Sequence, residues 1–338
     1  MDKRLVVALL VSISSIWAGC NTAVKDVDLS GIEVQLQVSR FEKDLFSGDS
    51  VITQDKLASL RSKYGEFTDI FLLNMIRLPK GNDSLLAAGL TSFIRDGDVR
   101  EVAAKTDSAY SDISGITASL TSFLRHYKYY YPEKQIPQII TYVSAFNYAV
   151  ITTDSAIGIG LDMFLGPDVP YYAQMGMPKF MFRNFKREYI VPSVARAVFQ
   201  SEYEQAMVKE ELLSQMLYEG KQLYFTKLMN PEMHDSLITG YTNAELEWCK
   251  ANEKQIWSYF IEQKLLFNTD PATYAKYVKE GPGTSGFPDG APGKIGAWVG
   301  WQIINAFMDQ NRNTSLTELM NQKDAQLLLE QSAYKPQK

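Results

Sequence analysis

Residues 139–164 read IITYVSAFNYAVITTDSAIGIGLDMF, and this stretch decides the fold. It contains three short runs of β-branched and aromatic residues, separated by polar connections at Asn147 and at Asp154 and Ser155. Such runs are typical of strands, and connections this short join neighbouring antiparallel strands. The stretch therefore predicts a three-stranded antiparallel β-meander, whose limits we set at residues 137–164.

The segments on both sides of the meander show the spacing of amphipathic helices. Residues 41–131 carry apolar side chains at intervals of three and four, and Pro132 ends the last helix of that series. The helices predicted after the meander span residues 192–206, 208–229, 243–266, 271–279, 294–310, 315–321 and 323–332. We therefore predict an α+β fold that is mostly α-helical, with the small meander packed on helices.

The first twenty residues predict a lipid anchor. A short basic start at residues 3–4 precedes an apolar run over residues 5–17, which is too short to span a bilayer as a mature helix. Residues 18–20 read AGC, the pattern of a bacterial lipobox, in which the signal is cleaved and Cys20 receives lipid, palmitate included. The alternative is an ordinary cleaved signal that leaves Cys20 without lipid. Lipid anchoring would leave the folded body in water.

The 338 residues divide into four predicted parts, of which we expect the last two to form one compact unit. The parts are a signal peptide at residues 1–19, a lipidated tether at 20–31, a mostly helical part at 32–136, and the meander with further helices at 137–338. Residues 32–38 alternate strictly between apolar and polar side chains, which predicts a half-buried strand at the start of the body.

Composition narrows the range of partners. The formal net charge is −5, and no long basic run occurs, so nucleic acid is a poor candidate partner. There are two cysteines, and lipid on Cys20 would leave Cys249 alone and exclude an intrachain disulfide. Cys249 lies in an amphipathic helical pattern, where a small buried apolar role is favoured over a reactive thiol.

The sequence offers no complete catalytic constellation. His126 and His234 are the two histidines, and they lie in different segments without the HExxH spacing of a zinc site. Neither a G-x-S-x-G elbow nor a Walker A motif occurs. We therefore predict no catalytic residue, no metal site and no cofactor.

One carboxylate stands out because of its apolar surroundings. Glu219 lies next to Gly220 in a helix that is otherwise rich in leucine and methionine. A buried carboxylate needs a partner, and Arg196 on the preceding predicted helix is a candidate. We therefore predict a buried polar pair or binding site at Glu219 and Arg196.

The second half of this candidate site follows a glycine-rich loop. Residues 281–293 read GPGTSGFPDGAPG, a composition that allows many backbone conformations and is often mobile. The helix after the loop begins KIGAWVGW, so Gly296 and Gly300 share one face next to Trp298 and Trp301. Two glycines cost helix stability, which indicates a close neighbour on that face, and we favour another helix over a ligand.

Several blocks of the chain together resemble a known family. These blocks are VSRFEKDLF at residues 38–46, LDMFLGP at 161–167, YIVP at 189–192, YEGK at 218–221, WCKANE at 248–253, PGKIG at 292–296 and QSAYKP at 331–336. In this order, and with the lipobox, they resemble the gliding-motility lipoprotein family of Bacteroidetes called GldB, over residues 32–336. The resemblance implies a cell-envelope lipoprotein of the motility and secretion apparatus, without an established catalytic activity.

The arrangement is also similar to that of gluzincin-type zinc peptidases. In those enzymes a β-meander precedes a helix with HExxH and a second helix with a ligand Glu followed by Gly. Glu219 and Gly220 match the second helix, but residues 192–199 read PSVARAVF and lack histidine. The resemblance therefore implies a zincin-like scaffold that has lost its metal, in which Arg196 replaces the cation beside Glu219.

The sequence favours a non-enzymatic function. We expect a membrane-anchored lipoprotein that faces the periplasm, contacts the membrane through lipid on Cys20, and binds other cell-envelope proteins. The alternative is an envelope peptide- or glycan-binding protein, or a cryptic hydrolase, that uses a cleft between Glu219 and Trp298 under the 281–293 loop. An open pocket around these residues would favour the alternative, and a sealed one the scaffold.

Overall fold

A four-stranded mixed sheet lies between two groups of helices. The computed structural model describes residues 27–48, 50–203 and 209–336. Within them the strands are β1 (Val38–Arg40), β2 (Gln138–Tyr142), β3 (Val150–Thr152) and β4 (Ala156–Gly160). The strand order is β1-β2-β4-β3, in which β1, β2 and β4 are parallel and β3 is the antiparallel edge strand. The three runs of the meander are therefore strands, but the predicted antiparallel meander is wrong.

The connection from β2 to β3 explains the error. It crosses the end of β4, where a side chain at Gly160 would overlap the carbonyl group of Tyr148. The N–H of Gly160 donates to the carbonyl oxygen of Ala149 at 2.8 Å. Strand β3 thus lies beyond β4, and β4 takes the central position with all five of its residues buried. A fully buried run of this kind is typical of a central strand.

The predicted alternation of burial at residues 32–38 is present, but the segment joins a strand only at its last residue, Val38. Exposure alternates residue by residue along this segment, and Val34, Leu36 and Val38 pack against the core. Hydrogen bonding to the sheet begins at Val38, which pairs with Ile139. Residues 32–37 pair with no strand in the described part of the chain, so the alternation reflects burial of one side rather than pairing in a sheet.

Helices form most of the described chain. Before β2 they are α1 (Phe41–Phe46), α2 (Gln54–Tyr64), α3 (Glu66–Ile70), α4 (Asp83–Arg95), α5 (Gly97–Ala109) and α6 (Ser114–Tyr130). After β4 they are α7 (Pro170–Gln174), α8 (Lys179–Phe182), α9 (Ile190–Glu202), α10 (Leu212–Met229), α11 (Asp235–Thr239), α12 (Asn243–Ala251), α13 (Glu253–Glu262), α14 (Pro271–Val278), α15 (Ile295–Gln310), α16 (Leu316–Asn321) and α17 (Ala325–Ser332). The single helix predicted over 243–266 is two, because the Asn252 side chain binds the Trp248 carbonyl at 2.8 Å and ends α12.

The two faces of the sheet cover two hydrophobic cores. Ile140 and Tyr142 belong to a smaller core that contains residues of α1 to α4. Ile139 and Ile157 belong to the larger core, which includes residues of α5, α6 and the helices after the sheet. Because successive strand residues point to opposite faces, β2 contributes to both cores. The sheet thus joins the beginning of the body to the rest.

Helices α10 and α15 cross with their backbones in contact. A side chain at Gly300 would overlap the carbonyl group of Met216, and one at Gly220 would overlap the backbone of Gly300. A Cβ atom at Gly296 would lie 2.8 Å from the carbonyl oxygen of Tyr277. These contacts confirm the prediction that the two glycines of α15 serve helix packing.

The predicted membrane anchor lies outside the described residues, which begin at position 27. The signal peptide at residues 1–19, Cys20 and most of the tether therefore have no structural description. Within the described ranges, the helices lack the length and apolar character that a membrane span requires.

A buried carboxylate holds the connection between β2 and β3. Asp162 follows β4 and is fully buried, and its Oδ2 atom accepts hydrogen bonds from the N–H groups of Ser144 (3.2 Å) and Phe146 (2.7 Å). Ala145 and Phe146 adopt positive φ angles of 56° and 65°. The Oδ1 atom of Asp162 is buried without a hydrogen-bond partner. Burial raises the pKa of Asp162 to about 6, although the two backbone hydrogen bonds oppose the rise.

The α10–α15 crossing predicts a large effect from one methyl group. Gly300→Ala should lower the free energy of unfolding by about 2–3 kcal/mol, because the overlap outweighs the better helix propensity of alanine. Urea denaturation followed by circular dichroism measures this change. Gly115→Ala in α6 is the matched control, since a Cβ atom there meets no atom within 4 Å. A similar loss in both variants would contradict the role of the crossing.

The buried Asp162 predicts a characteristic dependence of stability on pH. Its folded pKa of about 6 exceeds the ordinary value of 3.8, so its contribution is fully present below pH 4 and is lost as pH rises through 6. Asp162→Asn should remove this dependence, which amounts to about 3 kcal/mol between pH 4 and pH 7. Urea denaturation across that range measures it. Asp154→Asn, in an exposed turn, is the control, and identical profiles for wild type and Asp162→Asn would refute the argument.

Candidate functional site

Four charged side chains from four elements meet at the start of α15. Arg196 comes from α9, Glu219 from α10, Glu280 from the segment after α14, and Lys294 directly precedes α15. The Nζ atom of Lys294 lies 3.0 Å from Oε1 of Glu280 and 3.6 Å from Oε2 of Glu219. Nη1 of Arg196 lies 3.7 Å from Oε1 of Glu280. We call these four residues the charged cluster.

The cluster changes the pairing that the sequence suggested. Arg196 and Glu219 belong to the same cluster, but the ion-pair partner of Glu219 is Lys294 and that of Arg196 is Glu280. Lys294 is the more buried cation, with 6% of its side chain exposed against 39% for Arg196. The buried ammonium group therefore neutralises the half-buried carboxylate, and Arg196 lies further towards solvent.

Electrostatics favour the charged form of Glu280 in the cluster. Burial would raise the pKa of Glu280, but attraction by Lys294 and Arg196 holds that pKa below its ordinary value. With two acids and two bases, the formal charges cancel. A balanced cluster of this kind fixes the orientation of the elements that carry it.

Lys294 is positioned by its own backbone. It adopts the left-handed conformation with a φ angle of 64°, and its carbonyl oxygen accepts a hydrogen bond from the hydroxyl of Tyr241 at 3.1 Å. Immediately before it, a side chain at Gly293 would overlap the carbonyl group of Gly281. The two ends of the 281–293 loop therefore touch, and the loop delivers Lys294 to the cluster.

The glycine-rich loop is also held by contacts of Thr284 and Phe287. The hydroxyl of Thr284 donates to the carbonyl oxygen of Pro292 at 2.6 Å, which closes the loop on itself. The ring of Phe287 lies 4.6 Å from the ring of Tyr259 and also contacts Trp248. The loop thus contributes side chains to the aromatic packing, in addition to its permissive backbone.

The two tryptophans do not form an open binding face. Trp298 is 2% exposed and Trp301 is 5% exposed, so both indole rings belong to the larger core. The Nε1 atom of Trp301 is buried without a hydrogen-bond partner. The tryptophans of the candidate site are therefore sealed by packing, whereas Arg196 of the same candidate site keeps 39% of its side chain exposed.

Other reactive groups give no second centre in the described part of the chain. There, no group of three or more His, Cys, Asp and Glu side chains is placed to hold a metal ion. His126 is buried in α6 with Nδ1 at 2.8 Å from the carbonyl oxygen of Ser122. Cys249 is buried, as predicted, and burial raises the pKa of its thiol.

A comparison with protein families supplies the identity. A family model described as gliding motility protein GldB matches residues 22–336. The chain belongs to the GldB family. The resemblance inferred from the sequence blocks is thus confirmed at the level of the family, and membership indicates a lipoprotein that is associated with gliding motility and anchored at the cell envelope. No curated protein and no solved structure matches the chain.

Sequence reasoning missed two members of the cluster in this GldB-family chain. Lys294 was visible as a single charge at the start of a long apolar helix, which is the signal of a cation that requires a buried partner. Glu280 offered no such signal, because it ends a polar stretch at the edge of the glycine-rich loop. Its place in the cluster depends on the contact between Gly281 and Gly293, which is a property of the fold.

The cluster predicts that Lys294 is the residue on which its stability depends. Lys294→Met should lower the free energy of unfolding of this GldB-family protein by about 2–4 kcal/mol, because Glu219 loses its only ion-pair partner in the described residues. Urea denaturation provides the measurement. Lys250→Met is the matched control, since Lys250 pairs with Glu247 on the exposed surface and should cost less than about 0.5 kcal/mol. Equal losses would show that the cluster carries no special weight.

Proposed function

We propose that this GldB-family protein is a lipid-anchored adaptor of the gliding motility or secretion machinery. It carries lipid on Cys20, holds its body at the periplasmic face of a membrane, and binds other envelope proteins without catalysing a reaction. Family membership is the observation that carries the proposal. We also propose that the source of the protein is a bacterium of the Bacteroidetes.

The start of the folded body supports close membrane tethering. The guanidinium group of Arg125 donates to the carbonyl oxygens of Leu29 (2.7 Å) and Ile32 (2.9 Å), which fixes the chain to α6. Eight residues lie between Cys20 and Leu29, so the nine residue steps between them span at most about 30 Å when fully extended. The body would therefore stay within one domain diameter of the membrane, where its effective concentration for other anchored proteins is high.

Two exposed methionines support binding of proteins. Met175 and Met181 are 51% and 48% exposed, and they lie six residues apart in the segment that contains α7 and α8. The base of this segment is fixed, because the buried Tyr172 hydroxyl donates to the carbonyl oxygen of Asp162 at 2.8 Å. Flexible methionines on a fixed base adapt to the surface of a partner, and exposed apolar groups of this kind mark contact sites.

The charged cluster supports a scaffold rather than an enzyme. Glu219 is paired with Lys294, and the neighbouring tryptophans are buried. In the zincin-like relationship that we propose for this region, the ammonium group of Lys294 takes the place beside Glu219 that a metal ion would have. The peptide- or glycan-binding alternative requires an open aromatic surface near Glu219, and Trp298 supplies none.

The proposal predicts that the anchor and the contact surface can be separated. Cys20→Ser should move the protein from the membrane to the soluble fraction and lower the yield of co-purified envelope proteins. The double variant Met175→Asp/Met181→Asp should stay in the membrane and lose the same proteins, because charge on the apolar surface opposes its burial. Fractionation and quantitative mass spectrometry of affinity-purified protein measure both effects.

A matched variant identifies non-specific losses. Ile261 and Phe267 are also about half exposed and six residues apart, so Ile261→Asp/Phe267→Asp changes the surface to a similar extent elsewhere. It should retain the co-purified proteins. The adaptor proposal fails if the Cys20→Ser protein keeps its co-purified partners and still supports gliding or secretion in full. It also fails if purified wild type hydrolyses peptides or glycans in a manner that depends on Glu219.

A further inference from the structure

A separate cavity lies on the side of α10 that faces α9 and α17. Its volume is about 390 Å³, which falls within the range of small-molecule pockets. Phe199, Leu217, Tyr218 and Leu328 supply apolar and aromatic lining, and the side chain of Lys221 also lines it. The cavity therefore combines an apolar interior with an ammonium group.

Lys221 is a buried cation without an acidic partner among the described residues. Its residue is 7% exposed, and its Nζ atom donates to the carbonyl oxygens of Gln322 (2.5 Å) and Met320 (3.4 Å). These bonds cap the end of α16, but they use two of the three donors of the ammonium group. Because carbonyl groups carry no net charge, these bonds also leave the positive charge of Lys221 without a formal counter-charge.

A second lysine on the same helix shows the contrast. Lys227 likewise donates to a backbone carbonyl, that of Met233 at 2.8 Å, and it also pairs with Asp235 at 3.0 Å. Lys221 lacks such a carboxylate within 4.0 Å among the described residues. Burial lowers the pKa of Lys221 to about 8, which is the consequence of this missing compensation.

The remaining charges around the cavity favour an anion. Both carboxylate oxygens of Glu202 are occupied, one by the hydroxyl of Tyr127 at 3.0 Å and the other by Lys134 at 2.6 Å. Lys323 contributes a second lysine to the lining. An acidic group that enters the cavity would therefore meet the ammonium group of Lys221, and the one glutamate among the lining residues is already paired.

We propose that this cavity binds a small amphipathic carboxylate, whose carboxylate pairs with Lys221 and whose apolar part contacts Phe199, Tyr218 and Leu328. Two sources share this chemistry, namely a free acyl chain and the C-terminal residue of an apolar peptide. The site is distinct from the charged cluster and does not depend on the adaptor function. Its occupation would join α9, α10 and α17 through one ligand.

Carboxyl-labelled octanoate tests the proposal on the full lipidated chain. The protein is reconstituted in nanodiscs, and the ¹³C signal of the carboxylate is titrated against empty nanodiscs at pH 7. We expect saturable binding that is at least about tenfold tighter than that of octanol, because octanol lacks the charge that pairs with the lysine. N-acetylphenylalanine, titrated by the same method, represents the peptide source, and the tighter of the two acids identifies the class.

Variants separate binding from helix capping. Lys221→Met should weaken the preferred acid by about tenfold or more and leave octanol unchanged, whereas Lys221→Arg should retain it. Lys227→Met is the matched control on the same helix and should bind like wild type. The proposal is overturned if neither acid binds above the empty nanodiscs, or if wild type does not prefer the acid to octanol. Equal affinity in a folded Lys221→Met protein would also overturn it.

Discussion

The backbone contact between α10 and α15 is the constraint on which the larger half of the molecule depends. Gly220 and Gly300 allow the two helices to touch without intervening side chains. This approach brings Glu219, the neighbour of Gly220, within ion-pair distance of Lys294 at the start of α15. The same helix α10 presents Lys221 to the cavity on its other side. Helix α10 therefore carries both a member of the neutral cluster and the uncompensated cation.

The limits of sequence reasoning follow from what each pattern encodes. Helical spacing and capping residues are local, so most of the helices predicted after the sheet agree with the structure to within a few residues, although residues 243–266 form two helices. The glycine pair at 296 and 300 correctly indicated helix packing. Strand pairing is not local. The runs at residues 139–164 predicted strands, but the position of β4 depends on how the chain passes over Gly160. The run AIGIG at residues 156–160, which has no polar alternation, was the available signal for a central strand.

The candidate site shows the same division. Glu219 was singled out because a carboxylate on an apolar helix needs a cation, and the structure supplies one. The identity of that cation depends on the closure of the 281–293 loop, where Gly281 and Gly293 touch. Local composition does not reveal the distance between the two ends of a loop. The sequence therefore suggested Arg196 as the partner of Glu219, whereas the structure pairs Glu219 with Lys294. The family match confirms the overall resemblance, which rests on the order of many weak blocks.

The sequestered thiol of Cys249 has a practical consequence for spectroscopy. It is the one cysteine in the described residues, it is fully buried, and its raised pKa keeps it protonated and unreactive. A cysteine introduced at an exposed position would therefore be the site that a maleimide dye or spin label modifies in the folded body. Distances from such a probe to the lipid surface could be measured in an otherwise native chain.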